Sequence, residues 1–84
     1  MSIDNLVTMA NQIGTFFASY PDREEGRTEI VNHLQRYWAP SMRRQLYAHV
    51  DLDAGDGLSA IVLYAINEHR RDKAPPPPPG GDAG

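Results

Sequence analysis

Three histidines, His33, His49 and His69, are the only imidazoles in the chain, and no cysteine accompanies them. No two of them stand three or four residues apart, so no helical pair can grip a metal ion. Each is read as a solvated or hydrogen-bonded side chain. The lack of thiols excludes disulfides, thiolate-held zinc and iron–sulfur clusters with cysteine ligands in this chain. Asp51, Asp53 and Asp56 alternate with Leu52, Ala54 and Gly55 in a superficially calcium-like run. An EF-hand loop starting at Asp51 needs a glutamate at its twelfth position. Val62 stands there, so calcium is rejected. No glycine-rich stretch joins a strand to a helix, so a phosphate-cradling loop is absent as well.

The remaining chemistry belongs to arginines and aromatic side chains. Arg36, Arg43 and Arg44 lie with His49 between Ile30 and Val50, a stretch without an acidic residue. Two readings fit: a solvated face balanced by Asp51, Asp53 and Asp56, or a surface that meets carboxylates of a partner protein through bidentate guanidinium pairing. A pyrophosphate is a narrower target for the same fork. Nucleic acid is not, because the formal net charge is −3 and the first helix adds no cation. Trp38 closes the second helix just before Pro40. It serves either the core of that corner or an interface anchor, since Trp, Tyr and Arg are enriched at binding hot spots.

Four helices must position these groups, and no alternating strand pattern competes convincingly. The first is expected from Ser2 or Ile3 to Tyr20, capped by Ser2 or Asp4 and stopped by Pro21, whose ring pushes the preceding residue out of the helical region. The second starts at the capping residue Asp22, with Glu25 at capping-box spacing, and presents Ile30, Val31, Leu34, Tyr37 and Trp38 on one face. Glu24, Glu25 and Glu29 lie toward its start and Arg36 near its end, as the helix dipole favours. Pro40 opens the third in a first-turn position, with Met42, Leu46 and Val50 inward and Tyr47 beside them. Three aspartates and two glycines from Asp51 to Gly57 read as a loop. The last helix is expected from Asp56 or Gly57 to about Arg71. Its apolar centre, Ala60 to Ile66, would suit a buried strand, but its overall length and the basic residues at its end favour a helix.

The first helix is unusual for its wet face. Residues 5–21 contain no charged side chain, whereas a surface helix of a small soluble protein normally carries charge there. Ile3, Leu6, Val7, Ala10, Gly14 and Phe17 form one apolar stripe. Met9, Phe16 and Tyr20 form a second beside it, with Ile13 at the border. The double arc spans roughly 180°, against the roughly 100° that a core-facing stripe needs. Gly14 permits close approach of another helix. Met9, Phe16 and Tyr20 therefore either wrap into the chain's own core or face a partner, and the second reading is preferred.

Of the 84 residues, 1–73 suffice for one small helical domain. Residues 74–84 hold five consecutive prolines followed by a Gly-rich end, and are expected to be a disordered tail. A core this small rarely supplies more than about 3–5 kcal/mol net, which makes help from a partner plausible in a chain without disulfides. No run approaches the roughly 18 continuous apolar residues of a membrane span, and the start lacks a signal-peptide pattern. The chain reads as all-α, soluble and cytoplasmic, without membrane or nucleic-acid contact.

The stretch from Asp4 to Asp51 resembles the delta subunit of soluble NAD-dependent formate dehydrogenases that contain molybdenum or tungsten. The residues that carry the resemblance are Asn5-Leu6-Val7, Met9-Ala10-Asn11-Gln12-Ile13-Gly14, Phe16-Phe17 and Pro21-Asp22, followed by Ile30, His33-Leu34, Trp38, Pro40 and Met42-Arg43. Where that family usually reads Pro-Arg-Met-Arg, Ser41 replaces the first arginine. The resemblance implies a non-catalytic accessory subunit, not an enzyme by itself. It would bind the large catalytic subunit, and through it the flavin and NAD subunits, and support assembly, stability or activity in formate oxidation to CO2. The bis-molybdopterin guanine dinucleotide with its molybdenum or tungsten, the iron–sulfur clusters and the flavin are implied for the other subunits, not for this chain. A transient maturation chaperone for insertion of the pterin cofactor is the alternative. The expected partner-binding residues are Met9, Asn11, Gln12, Phe16, Tyr20, His33, Arg36, Trp38 and Arg43.

Overall fold

The computed structural model describes residues 2–73, which form four helices: α1 (Ile3–Phe17), α2 (Arg23–Tyr37), α3 (Pro40–Asp53) and α4 (Ala60–Lys73). The all-α expectation holds for these residues; the tail expected at 74–84 lies outside them.

Each helix starts where its local chemistry allows. The Ser2 hydroxyl accepts the Asn5 N–H at 3.2 Å and opens α1. One Asp22 carboxylate oxygen accepts the N–H groups of Glu24 and Glu25 at 2.9 and 3.3 Å and opens α2. Pro40 occupies the first turn of α3, where its missing donor costs no helical bond.

The ends differ from the sequence expectation for identifiable reasons. Helix α1 stops at Phe17, short of Tyr20. The Ser19 hydroxyl donates to the Phe16 carbonyl at 2.7 Å, and the chain tightens into turns in which Tyr20 N–H reaches Phe17 O at 3.1 Å. A serine hydroxyl competing for a backbone acceptor favours such an exit. Helix α3 continues past Val50 to Asp53, through two of the aspartates assigned to a loop. Asp51 and Asp53 have side-chain partners there: Arg70 holds Asp51, and the His49 ring lies one turn before Asp53, 3.4 Å from its carboxylate. The helix ends when Ala54 and Gly55 turn left-handed, at φ 56° and 68°, and Gly55 N–H returns to the His49 carbonyl, a closure typical of helix C-termini. Helix α4 starts at Ala60 because residues 56–59 are committed to the connecting loop.

Helix α1 packs against the other three, and α4 also packs along α2. The main core joins Leu6 and Ala10 of α1, Leu34 of α2, Trp38 at its end, Leu46 of α3, and Val62 and Ile66 of α4. A smaller cluster of Ile30, Val31 and Ala65 lies between α2 and α4. No polar or charged side chain is buried among the described residues. The close approach foreseen at Gly14 is made to α4: a Cβ there would meet a Val62 methyl at 2.5 Å. Gly26 does the same for the α1–α2 junction, where a Cβ would lie 2.7 Å from the Phe17 carbonyl oxygen.

Candidate functional site

The second apolar stripe of α1 turns only partly inward. Met9 is half-buried against the main core, Tyr20 is half-buried, and Phe16 keeps 65% of its surface exposed. Tyr37 was expected with the buried face of α2 but is 66% exposed. At about 100° per residue it lies some 60° from Leu34, on the side of His33. It therefore falls at the edge of the buried arc, in the last turn of the helix.

These side chains assemble into one aromatic band across α1 and α2. Phe17 is its hub. The Phe16 ring meets it edge-on with centroids 4.9 Å apart, Tyr20 at 5.3 Å and His33 at 6.2 Å. His33 then lies 4.7 Å from Tyr37. Edge-to-face pairs of this kind hold ring orientation beyond what area burial provides.

Two open grooves flank the band. One, of about 430 Å³, is walled by Met9, Gln12, Ile13, Phe16, Phe17 and His33, with Trp38 behind them. Trp38 is only 6% exposed and belongs to the core, so it contributes the back of the groove. The other, of about 740 Å³, runs past Phe16, Phe17 and Tyr20 to Glu29, Asn32, Gln35, Arg36 and Tyr37. Glu29 accepts from the Asn32 amide at 3.1 Å, while Arg36 makes no hydrogen bond or ion pair among the described residues.

The structure therefore brings Met9, Gln12, Phe16, Tyr20, His33 and Arg36 to one face, whereas Trp38, expected as a partner-binding residue, is buried in the core behind it. Asn11 and Arg43 are placed elsewhere and are occupied within the chain. The Asn11 side-chain amide donates to the Gly57 carbonyl at 2.9 Å, and its oxygen accepts the Ser59 N–H at 2.8 Å. Arg43 Nη1 donates to the carbonyls of Leu34, Gln35 and Trp38 at 3.2, 3.2 and 2.6 Å, covering the open end of α2. Helix-terminal carbonyls need such partners, and a nearby cation favours the negative end of the dipole. Sequence reasoning missed Tyr37, whose spacing of four from His33 was the available signal. It also missed Asn32 and Gln35, ordinary polar residues that nothing in the sequence marked.

Among the described residues no group of three His, Asp or Glu side chains could hold a metal ion, and no helix is long and apolar enough to cross a membrane. The resources of the face are aromatic area, amide groups and the Arg36 guanidinium, and aromatic residues and arginine are enriched at protein interfaces.

A family model described as "NADH-dependant formate dehydrogenase delta subunit FdsD" matches residues 5–66. No curated protein matches the chain, and no solved structure does. The matched region begins in α1, ends in α4 and contains every residue of the aromatic face. The chain thus belongs to the FdsD family, the delta subunits of NADH-dependent formate dehydrogenase.

Proposed function

We propose that the chain is a non-catalytic accessory subunit that docks onto the large, molybdenum- or tungsten-bearing subunit through the α1–α2 face and supports its assembly, stability or activity in formate oxidation to CO2. The observation that carries this reading is the aromatic band with Phe16 of α1 and Tyr37 of α2 about two-thirds exposed, beside a stretch of α1 that has no charged side chain from Asn5 to its end. Contiguous exposed apolar surface of this kind marks interaction sites. Pterin cofactor, iron–sulfur clusters and flavin belong to the other subunits in this reading. Asn11 and Arg43 support the interface indirectly, by fixing the loop before α4 and the end of α2.

Phe16→Asp tests the placement. Burying a large apolar side chain is worth roughly 1.5–3 kcal/mol. The substitution should therefore weaken co-purification with the large subunit by more than about tenfold, while circular dichroism of the chain stays helical. Undiminished co-purification would move the interface elsewhere. In the same preparation, wild-type chain should persist at fixed stoichiometry in active enzyme. Its departure before activity appears would make it a maturation chaperone. A chain ending at Lys73 should support the same formate oxidation as the full chain.

A further inference from the structure

The groove that runs from Phe16 to Tyr37 is complementary to itself. Glu29 and Arg36 are the two ionic side chains that line it, and they carry opposite charge on one helix, α2. At about 100° and 1.5 Å per residue, they stand within roughly 20° of each other and about 10 Å apart along the axis. Asn32 and His33 lie between them and line the same groove. Glu29 with Arg36, and Asn32 with His33, share one midpoint along the helix. Around a two-fold axis through that midpoint, perpendicular to α2, a second α2 runs antiparallel to the first. Each pairing then forms twice: Glu29 meets Arg36 of the other copy, and Asn32 meets His33. A two-fold axis along the helices would instead set Glu29 against Glu29 and Arg36 against Arg36. Charge therefore selects the antiparallel arrangement.

The same operation leaves α1 of both copies on one side of the helix pair, so the aromatic band faces its own copy. Phe16 and Tyr37, 65% and 66% exposed, then meet apolar surface. A self-complementary interface brings each side chain back near its equivalent, which penalises like charges close to the axis. Residues 5–21 bring none, as a helix that faces its own copy requires. Both ions of α2 have bonding capacity to spare. Arg36 makes no bond within the described chain. Glu29 accepts one bond from Asn32, and a carboxylate offers about four acceptor sites.

We propose that the unassembled chain forms a symmetric homodimer through this groove, with α2 antiparallel to its copy and a Glu29–Arg36 pair on either side of the two-fold axis. The dimer goes beyond the docking reading and stands without it. Where both hold, assembly exchanges a second copy of the chain for the large subunit.

The full chain, purified without the other subunits, is followed by sedimentation velocity from micromolar to near-millimolar concentration. It should pass from 9.4 kDa to twice that mass. Glu29→Arg and Arg36→Glu should each weaken the dimer at least about tenfold, because like charges then face each other. Mixed in equal amounts, the two variants should pair with each other and regain most of the wild-type affinity. One then presents only cations at the two positions and the other only anions. The chain carrying both substitutions should also dimerise, its charges reversed but still complementary. A fold merely damaged by substitution would show neither rescue. A chain that stays monomeric throughout would overturn the proposal, and so would a dimer that the single variants leave unchanged or that mixing fails to restore. Co-purification with the large subunit is measured separately. A monomeric chain whose Phe16→Asp variant still loses the large subunit removes the dimer and leaves docking in place. A dimer lost in Phe16→Asp while co-purification is unchanged keeps the dimer and removes docking.

Discussion

The α1–α2 face and the α3–α4 end of the molecule are fastened by opposite means. The face is held by rings: Phe16, Tyr20 and His33 meet Phe17 edge to face, Tyr37 tilts against His33, and Arg36 is left without a partner in the described chain. The other end is closed by polar bonds. Arg70 grips Asp51 through both carboxylate oxygens at 2.7 and 2.9 Å and lies over the Tyr47 ring. His49 Nε2 donates to the Asp56 carbonyl at 2.7 Å, and Asn11 ties the same loop to α1. Polar groups that find partners at home have little left to offer another protein. The difference separates surface committed to folding from surface available for association.

Substitutions should sort along that line. The largest effect is expected where both regions meet. Leu34 is fully buried in the main core, and Leu→Ala in such a site costs about 2–5 kcal/mol. Against the roughly 3–5 kcal/mol that a core of this size supplies, Leu34→Ala should abolish most helicity, as read by circular dichroism. Retained cooperative melting would mean the partner-free fold is sturdier than its size suggests.

Next comes Arg43→Ala, which strips hydrogen bonds from three carbonyls at the end of α2. A loss of about 1–3 kcal/mol in stability is expected, measured by urea denaturation. Arg43→Lys should recover only part of it. If Arg43→Ala instead leaves stability intact and weakens assembly, Arg43 belongs to the interface and the boundary between the two regions is drawn wrongly.

Tyr37→Ala should behave in the opposite way. Exposed as it is, the ring contributes little to the isolated fold, so melting should hardly move. Affinity for the complex should fall by a factor corresponding to about 1 kcal/mol or more, the range of a truncated hot-spot aromatic.

The smallest effect is expected from Asp51→Asn, which breaks a surface pair that solvent screens. Hydrogen bonding from Arg70, helped by its charge, lowers the Asp51 pKa below the ordinary aspartate value. The folded state therefore holds this proton less tightly than the unfolded one. The pair's stabilisation is present above the ordinary aspartate pKa and disappears as pH falls through the lowered folded value. Melting curves of wild type and Asp51→Asn should differ slightly near neutral pH and converge in acid.

Much of this arrangement was legible before the structure. Apolar periodicity carried the four helices, and the uncharged face of α1 pointed to Met9, Phe16 and Tyr20. The caps at Ser2 and Asp22 and the first-turn role of Pro40 follow from local chemistry that acts within a few residues. What stayed hidden depends on distant partners. Whether Arg43 meets a carboxylate or three carbonyls is decided by how α3 folds back on α2. Asn11 reads as a partner-binding residue on a wet face because its own partners, Gly57 and Ser59, lie far along the chain. The run from Asp51 to Asp53 looked like loop because the cation that holds Asp51 sits on another helix.

The carbonyls held by Arg43 lie five, eight and nine residues before it, whereas the Asn11 bonds reach 46 and 48 residues along the chain. Closing a short loop sacrifices less chain entropy than closing a long one, and contacts near in sequence form sooner. In kinetic terms, the α2–α3 corner is suited to act as an early nucleus, with α4 arriving afterwards. Pulse-labelled hydrogen exchange during refolding would then protect the amides around Trp38 and Pro40's first turn before those of α4, and simultaneous protection would show that the four helices condense together.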